Sequence, residues 1–238
     1  MTEPKPGGIP AESLPTHVAI IMDGNARWAG RRNLTRLQGH RTGTENVRRV
    51  VETFANYGIK YLTLYAFSTE NWKRPEGEVK GLLRLLNRVI RKETNALHKK
   101  GVRIRHLGRL DRLSEKVQQE IENAIELTKD NTTMTLSIAF DYGGRAEIVY
   151  AARSLVRQGV PADQIDEKLF SAHLYSNGLP DPDLIIRTAG EMRLSNFLLW
   201  QCAYSEFYFT PVPWPEFDEE EMRKALLAYS KRERKFGG

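Results

Sequence analysis

An α/β fold with a mostly parallel central sheet of about six strands, flanked by helices, is what this sequence predicts. Three observations carry the prediction. Short apolar runs alternate with helical patterns from end to end. The runs are almost continuously apolar, as strands covered on both faces are, rather than alternating in polarity. Several of them lead straight into turns rich in Asp, Asn, Ser, Gly and Arg, and ligands of parallel sheets collect at the carboxyl ends of the strands.

The first run, 17–22, carries Val18 to Met22 and breaks at Asp23-Gly24-Asn25, where a helical pattern bearing Arg27 takes over. It reads as a buried strand, a tight turn and a helix start. A helix follows at 46–57, with 34–41 a shorter candidate before it. A second strand at 61–67 runs into Ser68, Thr69, Glu70, Asn71, Trp72, Lys73 and Arg74; Pro75, Glu76 and Gly77 then give the segment the composition of a mobile lid. The helix expected at 79–100 offers Leu82, Leu83, Leu85, Leu86, Val89 and Ile90, enough to pack on the sheet or to wall an apolar tunnel. Strands at 102–107 and 134–140 bracket a helix at 114–129. The rest reads as helices at 145–157 and 167–174, strands at 184–187 and 207–210, and a last helix at 218–231.

A chain of 238 residues makes one large domain or two small ones. No apolar run approaches the roughly 20 residues that span a bilayer. Residues 1–15 are rich in Pro and Gly, lack the apolar core of a signal peptide and are expected to form a loose tail, with a single domain over 16–238. The single cysteine, Cys202, allows no internal disulfide and suits a cytoplasmic protein. A net charge of +6 suits anionic partners: nucleic acid, phosphorylated small molecules or an anionic membrane face.

The turn after the first run is the most informative. A carboxylate at a strand's carboxyl end, beside free N–H groups of a helix start, suits a divalent metal and an anion together. A phosphate or diphosphate ester with Mg²⁺ is the expected ligand. A capped β-α turn is the plainer reading of this corner alone. Three further turns shift the balance: 68–74, Asp141-Tyr142-Gly143-Gly144-Arg145, and Thr188-Ala189-Gly190-Glu191-Met192-Arg193-Leu194-Ser195. All are expected on one rim. Arg187, Arg193 and Ser195 offer guanidinium forks and a hydroxyl to a diphosphate, unless Asp183 and Glu191 take the arginines. Arg36 and His40 share a face if 34–41 is helical, and would extend the first anion site. There is no P-loop, no dinucleotide-binding glycine pattern and no Cys/His cluster. A nucleic-acid binder would place aromatics beside its basic patch; here they sit in strand-like runs, so no nucleic acid is expected.

Six ordered segments, HVAIIMDGNARWA, GHRTG, YLTLYAFSTENWKRP, DYGGR, DPDLIIRTAGEMRLSNFLLWQ and YSEFYFTPVPWPEF, closely resemble the cis-prenyltransferases, above all their bacterial undecaprenyl diphosphate synthase branch. The resemblance runs from His17 to the C-terminus. It implies the cis-prenyltransferase fold with an apolar tunnel. It also implies sequential condensation of isopentenyl diphosphate onto an allylic diphosphate such as farnesyl diphosphate, giving the lipid carrier precursor for cell-wall synthesis. By motif match, Asp23 would be the essential acid holding Mg²⁺, with Glu206 a second metal-linked acid. Gly24, Asn25, Ala26 and Arg27 would cradle the allylic diphosphate, with Trp28 alongside and Arg36 and His40 helping. Ser68, Thr69, Glu70, Asn71, Trp72 and Arg74 would complete that site, and Asn71 is the family's candidate for proton removal. An amide is a poor base, so a positioning role fits Asn71 better. Arg187, Arg193, Leu194 and Ser195 would bind isopentenyl diphosphate. The family's C-terminal Arg-x-Gly, which reaches a partner subunit, reads Lys235-Phe236-Gly237 here; Arg234 is the alternative cation. Met134 matches a bulky tunnel floor and Ala66 a small residue that keeps the tunnel open, which favours a product near eleven isoprene units over a short or medium chain. A homodimer is implied, with 197–200 and 207–209 as local hints, and peripheral contact with the inner membrane face would release the product. A non-catalytic subunit of this fold would lack the Asp of D-G-N, and this chain keeps it.

Overall fold

The computed structural model describes residues 8–232. Six strands, β1 (His17–Ile21), β2 (Tyr61–Ser68), β3 (Val102–Leu107), β4 (Met134–Tyr142), β5 (Leu184–Arg187) and β6 (Glu206–Phe209), form one sheet in the order β3-β4-β2-β1-β5-β6. Every neighbouring pair is parallel, so all carboxyl ends share one edge. The helices are α1 (Asn25–Arg31), α2 (Arg36–Tyr57), α3 (Glu76–Lys99), α4 (Glu115–Thr128), α5 (Gly144–Arg157), α6 (Glu167–Ser171) and α7 (Glu219–Ser230). The predicted fold class is the observed one.

The central strands β1, β2 and β5 are largely apolar because both faces are covered, whereas the outer strand β3 carries Arg103, Arg105 and His106 and β6 opens on Glu206. Val18, Ile20, Leu62 and Leu64 bury one face against Val50 and Phe54 of α2 and Met222 and Leu226 of α7. Ala19, Ile21, Tyr65 and Ile185 bury the other against Phe197 and Leu198. Phe67 and Phe140 meet Val79 of α3 and Val117 and Ile121 of α4. Each large side chain so buried is worth about 1.5–3 kcal/mol.

Several boundaries differ from expectation, each for a local reason. Helix α2 starts at Arg36 and joins 36–41 of the expected short helix to the next, because Thr35 and Gln38 form a capping box at its N-terminus. The expected loose tail is shorter than 1–15: Ile9 is 1% exposed within the main core, and Ala11–Ser13 makes a 3-10 turn. The expected lid is a built turn, since Thr69–Lys73 is a 3-10 helix and α3 begins directly at Glu76. The last strand starts one residue early, at Glu206. Phe197 and Leu198 are fully buried inside the chain, which removes them as interface hints. Lys235-Phe236-Gly237 and Arg234 lie outside the described residues. Among the described residues no helix is long and apolar enough to cross a membrane.

Candidate active site

From β1 the chain moves one way across the sheet to β2, β4 and β3, while β5 and β6 lie on the other side of β1. The crevice at the carboxyl ends of β1 and β5 is therefore a topological switch point, where open α/β sheets bind ligands. Asp23 follows β1 and Arg187 ends β5, so the sequence places its candidate acid and candidate fork on either side of it.

Backbone packing fixes this corner. Gly24 has φ 100°, and a Cβ there would lie 2.7 Å from Ala189 Cβ and 2.9 Å from Pro213 Cβ. The Thr188 hydroxyl accepts from the Asp23 amide at 2.9 Å and donates to the Asp23 carbonyl at 2.7 Å. On the far side of α1, Gly39 and Gly43 of α2 press on Asn25: a Cβ at Gly39 would sit 2.2 Å from its carbonyl oxygen, and one at Gly43 would sit 2.1 Å from its Oδ1. That Oδ1 is buried without a partner. The Gly-x-x-x-Gly spacing within GHRTG thus brings two helices close enough to set the Asn25 side chain.

Charge at the rim is arranged as acids between arginines. Asp23 Oδ2 lies 2.9 Å from Arg187 and 3.4 Å from Arg27, and its Oδ1 accepts from the Gly24 amide at 2.6 Å. Glu191 bridges Arg27, at 3.4 Å, and Arg193. Glu78 bridges Arg74, at 3.0 Å, and Arg36, at 3.4 Å. Arg187 is nearly buried; it also donates to Ser195 Oγ at 2.8 Å and to the Arg193 carbonyl, while its Nε has no partner. Of the two acids that the sequence set against these arginines, Glu191 takes Arg193, whereas Asp183 instead accepts from the Thr16 and His17 amides.

The turn after β2 faces the same crevice. Ser68 N–H donates to Asn71 Oδ1 at 3.0 Å in a second capping box. The Asn71 amide oxygen thus already holds the backbone of the turn, an arrangement that favours a positioning role. Thr69 donates to Glu70 at 3.1 Å, and Glu70 accepts from Asn196 Nδ2 at 2.8 Å. Burial pushes the Glu70 carboxyl up, but hydrogen bonds from its own backbone, Asn196, Ser68 and Thr69 outweigh it and hold the group below its ordinary value. Asn196 also accepts from the Gly144 and Arg145 amides, at 2.7 and 2.8 Å. One side chain thus ties the β2 turn, the start of α5 and the loop after β5 together.

Asp23, Asn25, His40, Ser68, Asn71, Arg74, Arg187 and Ser195 open onto a cavity of about 380 Å³. Below this mouth the walls are apolar. Leu82, Leu85, Leu86, Val89, Ile90 and Leu97 of α3 face Leu64, Ala66 and Phe67 of β2, Ile138 and Phe140 of β4, and Ile121 and Ala124 of α4. The α3 leucines are only half-buried because they line a void rather than a packed sheet. Register shifts in β2 around Ala66 turn that residue out of the ladder and onto the cavity. Met134 is buried in the main core and does not line the cavity; Leu136, one alternation along β4, takes the lower wall instead.

Other expected residues fall elsewhere. Trp28 donates to Glu216 at 3.0 Å and carries Arg32 over its ring, on the outer side of α1. Trp72 packs edge-on against Phe67 and donates to buried Asp141 at 2.7 Å, so it anchors the turn. Leu194 packs in the core beneath the loop. His40 lines the cavity but is not a cation: burial first, then Arg74, lowers it to about 4. Ala26 and Arg27 stand in the first turn of α1, Ala26 offering its N–H and Arg27 an exposed guanidinium. Glu206 opens β6 opposite Leu184, level with Val18. That is about 16 Å of strand short of Asp23, and its carboxylate pairs with Arg232. The two acids cannot hold one ion within a chain. Thr188, Asn196 and the Gly39/Gly43 pair were missed; the only signal for them was their place inside the quoted segments.

Comparison with known proteins agrees with this architecture. A family model described as "Putative undecaprenyl diphosphate synthase" matches residues 21–237. An isoprenyl transferase of Clostridium perfringens is 51% identical over 95% of this chain and 91% of its own. One from Heliobacterium mobile is 53% identical over 94% and 88%. Among solved structures, lavandulyl diphosphate synthase from Lavandula x intermedia, in complex with dimethylallyl diphosphate, superposes with a TM-score of 0.91 at 40% identity, covering 95% of this chain and all of that one. A probable undecaprenyl diphosphate synthase from Campylobacter jejuni gives 0.79 at 34% identity, covering 94% and 99%.

Proposed function

The chain belongs to the undecaprenyl diphosphate synthase family of prenyl transferases, and we propose that it adds isopentenyl diphosphate units one after another to an allylic diphosphate such as farnesyl diphosphate, making a long cis-polyprenyl diphosphate near eleven units. The observation that carries this reading is the continuity of a charged mouth with a leucine-lined cavity. The mouth suits diphosphates and the cavity suits a growing hydrocarbon.

Condensation needs two diphosphates held with their carbon ends facing. The α1 amides, Asn25, Arg27 and Arg74 are set to hold the allylic one, with neutral His40 as a donor rather than a charge. Arg187, Arg193 and Ser195 are set to hold the isopentenyl one. Cleavage of the allylic C–O bond leaves negative charge on diphosphate, which the guanidinium groups and amides stabilise in place. The double bond of the second substrate then attacks that carbon, and the proton lost as the new cis double bond forms passes to the released diphosphate. Asn71 holds an oxygen by its N–H groups during this step.

No cluster of three or more His, Cys, Asp or Glu suited to a metal occurs among the described residues. Asp23, partly exposed at the mouth, is a lone hard ligand, and such a donor set suits Mg²⁺ completed by diphosphate oxygens and water. When bound there, Mg²⁺ would neutralise charge on the leaving diphosphate. We further propose a homodimer meeting along the β6 edge, where Phe207 and Phe209 are half-buried, peripheral membrane contact for product release, a cytoplasmic location and no nucleic-acid partner.

The likeness to lavandulyl diphosphate synthase favours a second reading, a product of few units. The cavity reaches from Leu82 to Leu97 along α3, about 22 Å of helix, and favours the long one. Incubation with farnesyl diphosphate, labelled isopentenyl diphosphate and Mg²⁺ in detergent tests both. Long cis products from wild type, and a loss of about 10³-fold in Asp23→Ala, are expected. Products of only one or two added units would overturn the long-chain reading, and full activity in the variant would remove Asp23 from the chemistry.

A further inference from the structure

We propose that the outward face of α3 is a docking surface for an anionic lipid bilayer. Lys80, Arg84, Arg88, Arg91, Lys92 and Lys99 are all exposed. At 3.6 residues per turn they fall within one arc of about 120°. The acids of the helix lie off this arc or at its very start. Glu78 and Glu93 are mostly buried, 14% and 20% exposed, and are held by Arg36, Arg74 and Arg48. Glu76, in the first turn, takes Lys80 at 2.5 Å. Arg91 and Lys92 have only long contacts, to Glu120 at 3.7 Å and Glu93 at 3.9 Å. Arg84, Arg88 and Lys99 have no ion pair among the described residues.

This is not the mixed-sign pattern of an ordinary solvated helix face. Side chains of Arg84, Asn87, Arg88, Arg91 and Lys92 enclose a shallow concavity on it, a shape suited to phosphate oxygens. Two exposed apolar side chains lie around the start of α2, and one of them borders this face. Leu34 and Leu37 are 37% and 43% exposed, and Leu37 sits over Gly81 of α3. Cationic groups beside exposed leucines are what an interfacial membrane surface requires. The opposite face of α3 is the cavity wall, so the membrane would lie one helix away from the hydrocarbon. A flat polyanion such as RNA would use the charges and leave the leucines wet; a bilayer uses both. The inference rests on the reading that the product is a long polyprenyl lipid, but its test does not depend on that product.

Sedimentation with vesicles of phosphatidylcholine alone, or mixed with phosphatidylglycerol, tests the surface directly. Wild type should bind the anionic vesicles at low salt and release them at high salt. The pair R84Q/R88Q should bind about 25-fold more weakly, about fivefold for each arginine. R153Q/R157Q, which removes two exposed charges from α5, should bind as wild type does. Leu37→Ser should weaken binding at low and high salt alike. Turnover in detergent should be unchanged in R84Q/R88Q, and that assay reports on the proposed reaction alone. Equal binding to both kinds of vesicle, or equal losses in the α3 and α5 pairs, would overturn the proposal.

Discussion

The mouth of the cavity and its wall are built in opposite ways. At the mouth, most polar groups are already engaged: Thr188 grips both ends of the Asp23 peptide, Asn196 joins three segments, and each acid is shared by two arginines. Along the wall, the α3 leucines pack on their neighbours on one side and meet a void on the other, with no polar contact to fix them. The difference teaches where precision is needed. Reacting carbons must be placed to a fraction of an ångström, whereas a hydrocarbon tail needs only room. Substitutions at the mouth should therefore cost rate, and those on the wall should change product length.

The largest break of that contrast is Gly43→Ala. Its Cβ would meet Asn25 Oδ1 at 2.1 Å and Trp214 Cδ1 at 2.9 Å, so α1 must shift. We expect a loss of about 1–3 kcal/mol in a denaturant titration and a fall of about 100-fold or more in kcat. Gly30→Ala, with open space around its Cβ, is the control and should melt no lower than wild type.

A smaller effect is expected at the Asn196 junction. Asn196→Asp places a carboxylate against Glu70 and should lower kcat/KM about tenfold. The pair E70Q/N196D restores a donor and an acceptor across the gap and should regain most of that loss. Failure of the pair to recover would mean that the contact is packing alone.

On the wall, Ala66→Leu should shift labelled products to shorter chains on a thin-layer plate while the first condensation keeps its rate. Unchanged length would remove Ala66 from the tunnel model. The smallest effect concerns pH. Burial lowers His17 and His40 to about 4 against an unfolded value of about 6.5. The unfolded chain thus binds more protons between these values, so stability rises with pH through that window and flattens above it. Urea midpoints measured across it should show this slope, and His40→Asn should reduce it.

Much of this was legible in the sequence, because strands covered on both faces declare themselves as apolar runs and parallel strands place their trailing turns on one edge. Asp23, Arg187 and Ser195 were expected on one rim that way, and they meet there. What escaped depends on side-chain direction and depth. Trp28 and Trp72 lie at the expected positions but turn outward or into packing, and spacing does not reveal the turn. Glu206 carried no position in the sequence: its strand runs parallel to β1, which sends its first residue to the amino edge, away from Asp23. His40 was on the expected helix face, yet its charge depends on burial that no local pattern reports. Gly39 and Gly43 act through contacts that exist only once α1 and α2 meet.

The acids between arginines have a further consequence. Three carboxylates, Asp23, Glu191 and Glu78, are shared among five arginines, Arg27, Arg36, Arg74, Arg187 and Arg193, so the mouth keeps a positive excess even though each guanidinium group already has a partner. On the proposed function, a diphosphate drawn there by that excess settles by exchange of partners. Were Arg187 to turn from Asp23 to a phosphate oxygen, the carboxylate would keep only the exposed Arg27, at 3.4 Å, as a charged partner and would be open to a cation. Loading of the anion and of the metal would then be coupled, each favouring the other.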